Sequence, residues 1–248
     1  DSHKGGCTTY VAALLVEEFL DLGLRFSDYP NLIRLNPNIP WKTRGNGAVC
    51  LRIFGERDIL EEAIDITLDV VEENSYPEDP LTHPGVAFYF GKEVPKAIKE
   101  FAKAVEREIV PLSKALKLAK EHDVLVKGMK ERRGIIGALA AIGETLEGDH
   151  TYELIAYRKR ENWGKPRKVS EESVKLVDRL MGCVTFNNYD WKNRRTLITP
   201  RGPDPVLLGI RGESPEVLRK AFETLKLEEP WERWVIFRTN QGTEAHAI

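Results

Sequence analysis

Thr151-Tyr152-Glu153-Leu154-Ile155-Ala156-Tyr157-Arg158 reads as a strand and opens the series of elements that decides the fold of the second half of the chain. Working outward, Glu171 to Met181 reads as a helix and Cys183 to Asn187 as a strand. Arg195 to Thr199 and Val206 to Arg211 read as two more strands, Pro215 to Leu225 as a helix and Trp234 to Arg238 as a final strand. Strand-helix-strand-strand-helix-strand, with one strand to spare, is the order of a ferredoxin-like α+β domain.

The 248 residues suffice for two ordinary domains. The expected division is 1–145 and 146–248, with interleaving allowed because the small-residue helix Gly134 to Gly143 suits either lobe. Charged residues at 31% and hydrophobic ones at 42% describe a globular chain rather than a disordered one, and the helices and strands read along it make the expected class α+β (mixed α/β). A net charge of -2 gives no global attraction to nucleic acid, so RNA contact has to come from local basic patches. Cys7, Cys50 and Cys183 lack the spacing of a zinc site and fit reduced thiols in cytoplasm. No secretory signal and no membrane-spanning run is read.

The first half opens on Asp1-Ser2-His3-Lys4-Gly5-Gly6-Cys7-Thr8-Thr9-Tyr10, followed by the apolar run Val11 to Val16. Val11, Leu14, Leu15, Phe19 and Leu22 have helical spacing, and Gly23 is a stop. The lead-in reads as a phosphate site: Gly5 and Gly6 admit an anion to backbone N–H groups, Thr8 and Thr9 cap the helix and offer hydroxyls, and the helix N-terminus adds partial positive charge. Asp1 is read as the carboxylate for a divalent cation. Tyr29 to Leu35 and Ala48 to Phe54 read as strands, Ile59 to Val71 as an amphipathic helix, Gly85 to Gly91 as a buried strand, and Pro95 to Val110 and Leu112 to His122 as helices.

Two further stretches carry chemistry. Between the early strands, Arg34-Leu35-Asn36-Pro37-Asn38-Ile39-Pro40-Trp41-Lys42-Thr43-Arg44-Gly45-Asn46-Gly47 offers the cations Lys42 and Arg44 and the stacking face of Trp41, and reads as a polyanion contact or as a solvated hairpin loop. Lys127, Lys130, Arg132 and Arg133 lead into Gly134 to Gly143, which reads as a second phosphate element or as a packed core helix. No Walker A pattern occurs. His83 reads as a turn residue. Trp163 with Lys165 to Lys168, and Tyr189 to Arg195, are basic aromatic loops of the kind that bind single-stranded RNA, and equally ordinary hairpin loops.

Asp1-Ser2 with Gly5-Gly6-Cys7-Thr8-Thr9-Tyr10, the loop Arg34 to Val49, the helix Gly134 to Gly143 and the tail Thr239-Asn240-Gln241-Gly242-Thr243-Glu244-Ala245-His246 together resemble the archaeal isoleucine-tRNA 2-agmatinylcytidine synthetases. Glu244 stands where that family has Asp, and the lead-in to Gly134 lacks its usual glycine-rich turn. The family's first motif runs I-D-D-T-D-S, so the chain is expected to be a piece of a longer protein without the oligonucleotide-binding fold and zinc ribbon. The resemblance implies a kinase-like N-terminal domain, a ferredoxin-like second domain, and the joining of agmatine to carbon-2 of the wobble cytidine of a minor isoleucine tRNA at the expense of ATP. It further implies a phosphorylated cytidine intermediate and self-phosphorylation of Thr8.

On this reading Asp1 binds Mg²⁺; Gly5, Gly6, Thr8 and Thr9 hold phosphate; and Lys42, Arg44, Arg133 and Gly134 make further anion contacts. Thr8, Asp1 and Arg133 are the catalytic candidates. Agmatine, with a guanidinium and an amine, needs carboxylates, for which Asp204, Glu213 and Glu244 are candidates. The alternatives are an ATP-dependent kinase or ligase of a free metabolite and a non-catalytic tRNA-binding module.

Overall fold

A computed structural model describes residues 2–244; Asp1, read as the metal ligand, and the tail residues Ala245 and His246 lie outside the described residues. In chain order the elements are α1 (Thr8–Asp21), β1 (Arg25–Phe26), β2 (Asn31–Arg34), β3 (Gly47–Cys50), β4 (Ile53–Phe54), α2 (Arg57–Glu73) and β5 (Gly85–Phe88). Then come α3 (Lys96–Arg107), α4 (Leu112–Glu121), β6 (Leu125–Gly128), α5 (Gly134–Gly143), β7 (Thr151–Arg158), α6 (Glu171–Met181) and β8 (Thr185–Phe186). The chain continues through β9 (Tyr189–Asp190), β10 (Arg195–Thr196), β11 (Val206–Gly212), α7 (Pro215–Thr224) and β12 (Trp231–Thr239).

One six-stranded sheet, in the order β3-β2-β12-β7-β11-β8, organises the molecule. Its last four strands pair antiparallel and, with α6 and α7, form the expected ferredoxin-like unit. The spare strand of the sequence reading is instead a separate hairpin, β9 with β10. The sheet does not stop at the boundary expected from sequence. β2 pairs parallel to β12 through Asn31 opposite Arg238, and β3 extends the edge, so the N-terminal half lends two strands to the ferredoxin-like sheet.

Register and the period-2 alternation of strands divide the sheet into two faces. Leu154, Ala156, Leu208, Ile210 and Ile236 lie beneath Val174, Val177, Leu218 and Ala221 of α6 and α7. Leu32, Ile155, Tyr157 and Phe237 point the other way and receive Tyr10, Ala12 and Ala13 of α1. The far side of α1 packs on α2 through Leu15, Phe19 and Ala63.

A fourth cluster gathers α3, α4 and α5 around Ile98, Phe101, Ala115, Leu139 and Ala140. An apolar helix such as α5 is stable only when surrounded, and it packs against α3, α4, β3 and β5. β5, expected to be buried, is half-buried, because among the described residues only β6 pairs with it. No helix among the described residues is long and apolar enough to cross a membrane.

Candidate active site

The entrance to α1 is a compact loop. Ser2 N–H donates to Gly5 O at 2.8 Å, Ser2 Oγ accepts from Lys4 N–H at 2.8 Å, and His3 N–H donates to Asp79 Oδ2 at 2.9 Å. Gly6, with φ +73°, turns the chain into the helix in a conformation that favours glycine. The cap residue is Cys7, without a side-chain cap bond, rather than either threonine. Thr8 and Thr9 therefore occupy the first turn, and their amides and that of Tyr10 have no acceptor among the described residues. Thr9 is buried, its Oγ1 3.0 Å from Cys7 Sγ, whereas Thr8 is exposed. Free amides and the positive end of the helix dipole at one spot suit an anion.

The loop between β2 and β3 is shaped by its own side chains. Asn36 Oδ1 accepts from Asn38 N–H at 2.9 Å, Asn46 Nδ2 donates to Asn36 O at 2.8 Å, and Lys42 Nζ donates to Pro37 O. Trp41 lies under Arg133, with the guanidinium 5.1 Å from the ring centroid, which joins this loop to the start of α5. Arg44 reaches in two directions, to Asp204 Oδ2 at 2.9 Å and to Gly6 O.

The start of α5 differs from its sequence reading as a phosphate-binding turn. Gly134 N–H donates to His83 O at 2.9 Å, Ile135 N–H to Arg132 O at 3.1 Å and Ile136 N–H to Arg133 O at 3.0 Å, so the first amides are already satisfied. Gly134 is needed for close approach: a Cβ there would sit 2.5 Å from Gly85 N and 2.6 Å from His83 O. Lys130 and Arg132 adopt φ of +55° and +58°, a conformation costly for residues with side chains. Burial, and next the neighbouring Arg133, lower the pKa of His83, which favours its neutral form.

These segments border one cavity of about 1650 Å³, lined by Thr8, Thr9, Lys42, Arg44, Arg133, Gly134 and Asp204 among others. Seven Lys or Arg residues but only three carboxylates line it, and a cavity so biased concentrates anions. Gly5 and Gly6 do not line it, and Gly6 meets Arg44 through its carbonyl. Glu213 and Glu244 are exposed and do not line the cavity, and Asp204 is held between Arg44 and Arg167. Among the described residues no group of three or more His, Cys, Asp or Glu side chains is arranged to hold a metal ion.

The floor of the cavity carries residues that sequence reading does not single out. Glu153 is buried in the middle of β7, and its Oε2 accepts from Arg34 Nη2 at 3.0 Å. Its Oε1 lies over Gly209, where a Cβ would be 2.8 Å away, and has no partner among the described residues. Arg211 stands opposite Glu153 in the register and lines the same cavity. Of the loops read as RNA contacts, Trp163 packs edge-on against Tyr10 at 5.3 Å, while Trp191 stays exposed under Arg179.

Two family models match the sequence, the TiaS TCKD domain over residues 1–131 and the TiaS FLD domain over residues 132–246. A curated relative from Staphylothermus marinus, an isoleucine-tRNA 2-agmatinylcytidine synthetase, is 44% identical across 99% of this chain and 55% of its own length. The crystal structure of a TiaS complex with isoleucine tRNA and ATP superposes with a TM-score of 0.92 at 42% identity, covering 100% of this chain and 58% of that one. That of a TiaS complex with isoleucine tRNA, AMPCPP and agmatine gives 0.91 at 40% identity, covering 100% and 59%. The chain thus spans a little over half the length of the relatives it matches.

Proposed function

Because the chain belongs to the TiaS family, we propose that it is the ATP- and cytidine-handling part of an enzyme that joins agmatine to carbon-2 of the wobble cytidine of the minor isoleucine tRNA. The observation that carries this reading is the convergence of Thr8, Lys42, Arg44 and Arg133, far apart in sequence, on one cation-rich cavity. The cavity exceeds the usual size for one small ligand, which suits a nucleotide together with an extruded base. Complexes of relatives with isoleucine tRNA, ATP and agmatine support the same ligands here.

The chemistry follows from a leaving-group problem. The carbon-2 oxygen of cytosine departs poorly, so it first attacks the γ-phosphorus of ATP and releases ADP. The agmatine amine then adds at carbon-2, and phosphate leaves with that oxygen. The free amides of Thr8, Thr9 and Tyr10 and the side chains of Lys42 and Arg44 stabilise charge on the transferring phosphoryl group. Thr8, the exposed hydroxyl at this spot, is the proposed site of self-phosphorylation, and Arg133, stacked on Trp41, is the proposed contact at the cavity's other side.

Glu153 is the carboxylate best suited to the guanidinium of agmatine. Glu213 and Glu244 do not line the cavity, Asp204 is engaged by two arginines, and Glu108 is exposed. Mg²⁺ enters only as the usual companion of ATP, with Asp1 its proposed ligand. The described residues do not themselves fit a metal cage. A reduced cytoplasm is the proposed compartment, in keeping with a tRNA substrate and three free cysteines.

The test is nucleoside mass spectrometry of isoleucine tRNA after incubation of the full-length parent with ATP, Mg²⁺ and agmatine. A cytidine that gains the agmatine mass only in the complete mixture is expected, and Thr8→Ala should abolish it. An unmodified cytidine, with ATP turnover intact, would overturn the reading in favour of a free-metabolite enzyme.

A further inference from the structure

We propose that Asp204 is a positioning residue, which with Arg167 behind it holds the Arg44 guanidinium beside the α1 entrance so that a phosphate ligand meets it already aimed. The inference rests on the reading above for the identity of the ligand, ATP. It assigns Asp204 a task other than binding the cationic co-substrate.

Arg167 is half-buried, its side chain only 8% exposed, and it spends its donors on one turn. Nε donates to Val206 O at 2.7 Å, Nη1 to Gly202 O at 3.1 Å, and Nη2 to both Asp204 O and Asp204 Oδ1 at 3.2 Å. Asp204 Oδ1 also accepts from Val206 N–H at 3.1 Å, which fixes the carboxylate and leaves Oδ2 directed at Arg44 Nη1, 2.9 Å away. Arg44 sits in a stretch without regular secondary structure, and its other terminal nitrogen donates to Gly6 O, two residues ahead of Thr8. Gly202 closes the arrangement: a Cβ there would lie 3.0 Å from Asp204 Oδ2 and 3.3 Å from Arg44 Nη1.

The chain of charges, Arg167 to Asp204 to Arg44, is positive overall and presents its outer cation to the cavity. Holding a long, flexible side chain before the ligand arrives removes an ordering cost from binding and from the transition state. The device also spans both halves of the chain. Residues 6 and 44 come from the first half and 167 and 204 from the second, so the phosphate site depends on the ferredoxin-like unit.

The experiment uses the full-length parent, with KM for ATP, KM for agmatine and kcat measured for Asp204→Asn, Arg44→Gln, the double variant and Gly202→Ala. ATP affinity is also measured by equilibrium dialysis without tRNA, so that positioning is read even if the tRNA reaction itself fails to appear. Asp204→Asn is expected to weaken ATP about tenfold, to leave the agmatine KM unchanged, and to add nothing in the Arg44→Gln background. Gly202→Ala should move the same constant in the same direction, which keeps the test alive if Asp204→Asn does not fold. A rise confined to the agmatine KM, or an undiminished Asp204→Asn effect once Arg44 is gone, overturns the proposal.

Discussion

Asn240 Nδ2 donates to Glu106 Oε1 at 3.0 Å, so a residue just past β12 reads the charge state of a carboxyl buried on α3. The same amide brackets the end of β2, accepting from Arg34 N–H at 2.8 Å and donating to Arg34 O at 3.0 Å. Burial, then the nearby Glu144, push the Glu106 pKa up to about 7, against smaller lowering effects of Asn240, Arg107 and Lys103. A carboxyl whose folded pKa is raised binds more protons folded than unfolded. Its stabilising contribution is therefore full below the ordinary value of 4.5 and is lost as pH rises through about 7. Glu106→Gln, which mimics the protonated acid, should gain thermal stability relative to the parent sequence at pH 8 and show no such gain at pH 4.5. An equal difference at both values would show that Glu106 does not titrate in this window.

Gly134→Ala should loosen the junction of α5 with β5. The added methyl would meet Gly85 N at 2.5 Å and His83 O at 2.6 Å, both backbone atoms that cannot step aside as a flexible side chain would. Overpacking of this kind costs roughly 1–3 kcal/mol. Gly45→Ala, with no atom within 4 Å of the new Cβ, is the matched control and should stay within about 0.5 kcal/mol. Urea unfolding of both variants measures the difference.

Arg158 and Glu229 form a bidentate pair, with Nε to Oε1 at 2.6 Å and Nη2 to Oε2 at 2.9 Å, and both side chains are buried. The arginine also donates to Lys165 O and Pro166 O, which tacks the loop after β7 to the segment before β12. Glu229→Gln leaves a guanidinium inside without its counter-charge and should cost about 3–5 kcal/mol. Glu61→Gln, in the exposed Arg57–Glu61 pair, should cost about 0.5 kcal/mol or less. Denaturant midpoints of the two variants would separate these cases, and similar losses would contradict the burial argument.

Local pattern explains why so much of the fold is legible in the sequence. α5 coincides with the run Gly134 to Gly143, and α1 ends at Asp21, one residue before the last helically spaced residue Leu22, because apolar spacing and a stop glycine are local signals. The pairing of Asn31 with Arg238 is not local, and nothing in either segment announces a shared sheet. β6 is hidden because Leu125 to Gly128 overlaps the basic cluster, whose charges mask a short edge strand. Among the residues that line the cavity, Thr8, Lys42, Arg44 and Arg133 are legible by residue type. Glu153 escapes that reading, although its parity with Ile155 and Tyr157 on a buried sheet face marks it as a charged residue pointing inward.

That inward carboxylate supplies the last prediction. Glu153 Oε2 is held by Arg34 at 3.0 Å while Oε1 is left over Gly209, so the group is fixed in place and half available. A guanidinium arriving from the cavity would find a charge-assisted acceptor, worth about 1.5–3 kcal/mol, or roughly 10- to 150-fold in affinity. Glu153→Gln keeps the size and an acceptor but removes the charge, and in the full-length parent the agmatine KM should rise by about that factor with the ATP KM unchanged. Gly209→Ala should act in the same direction, since its methyl would sit 2.8 Å from Oε1 and cover it. If both variants leave the agmatine KM alone, Glu153 serves only to anchor Arg34, and the guanidinium is held elsewhere.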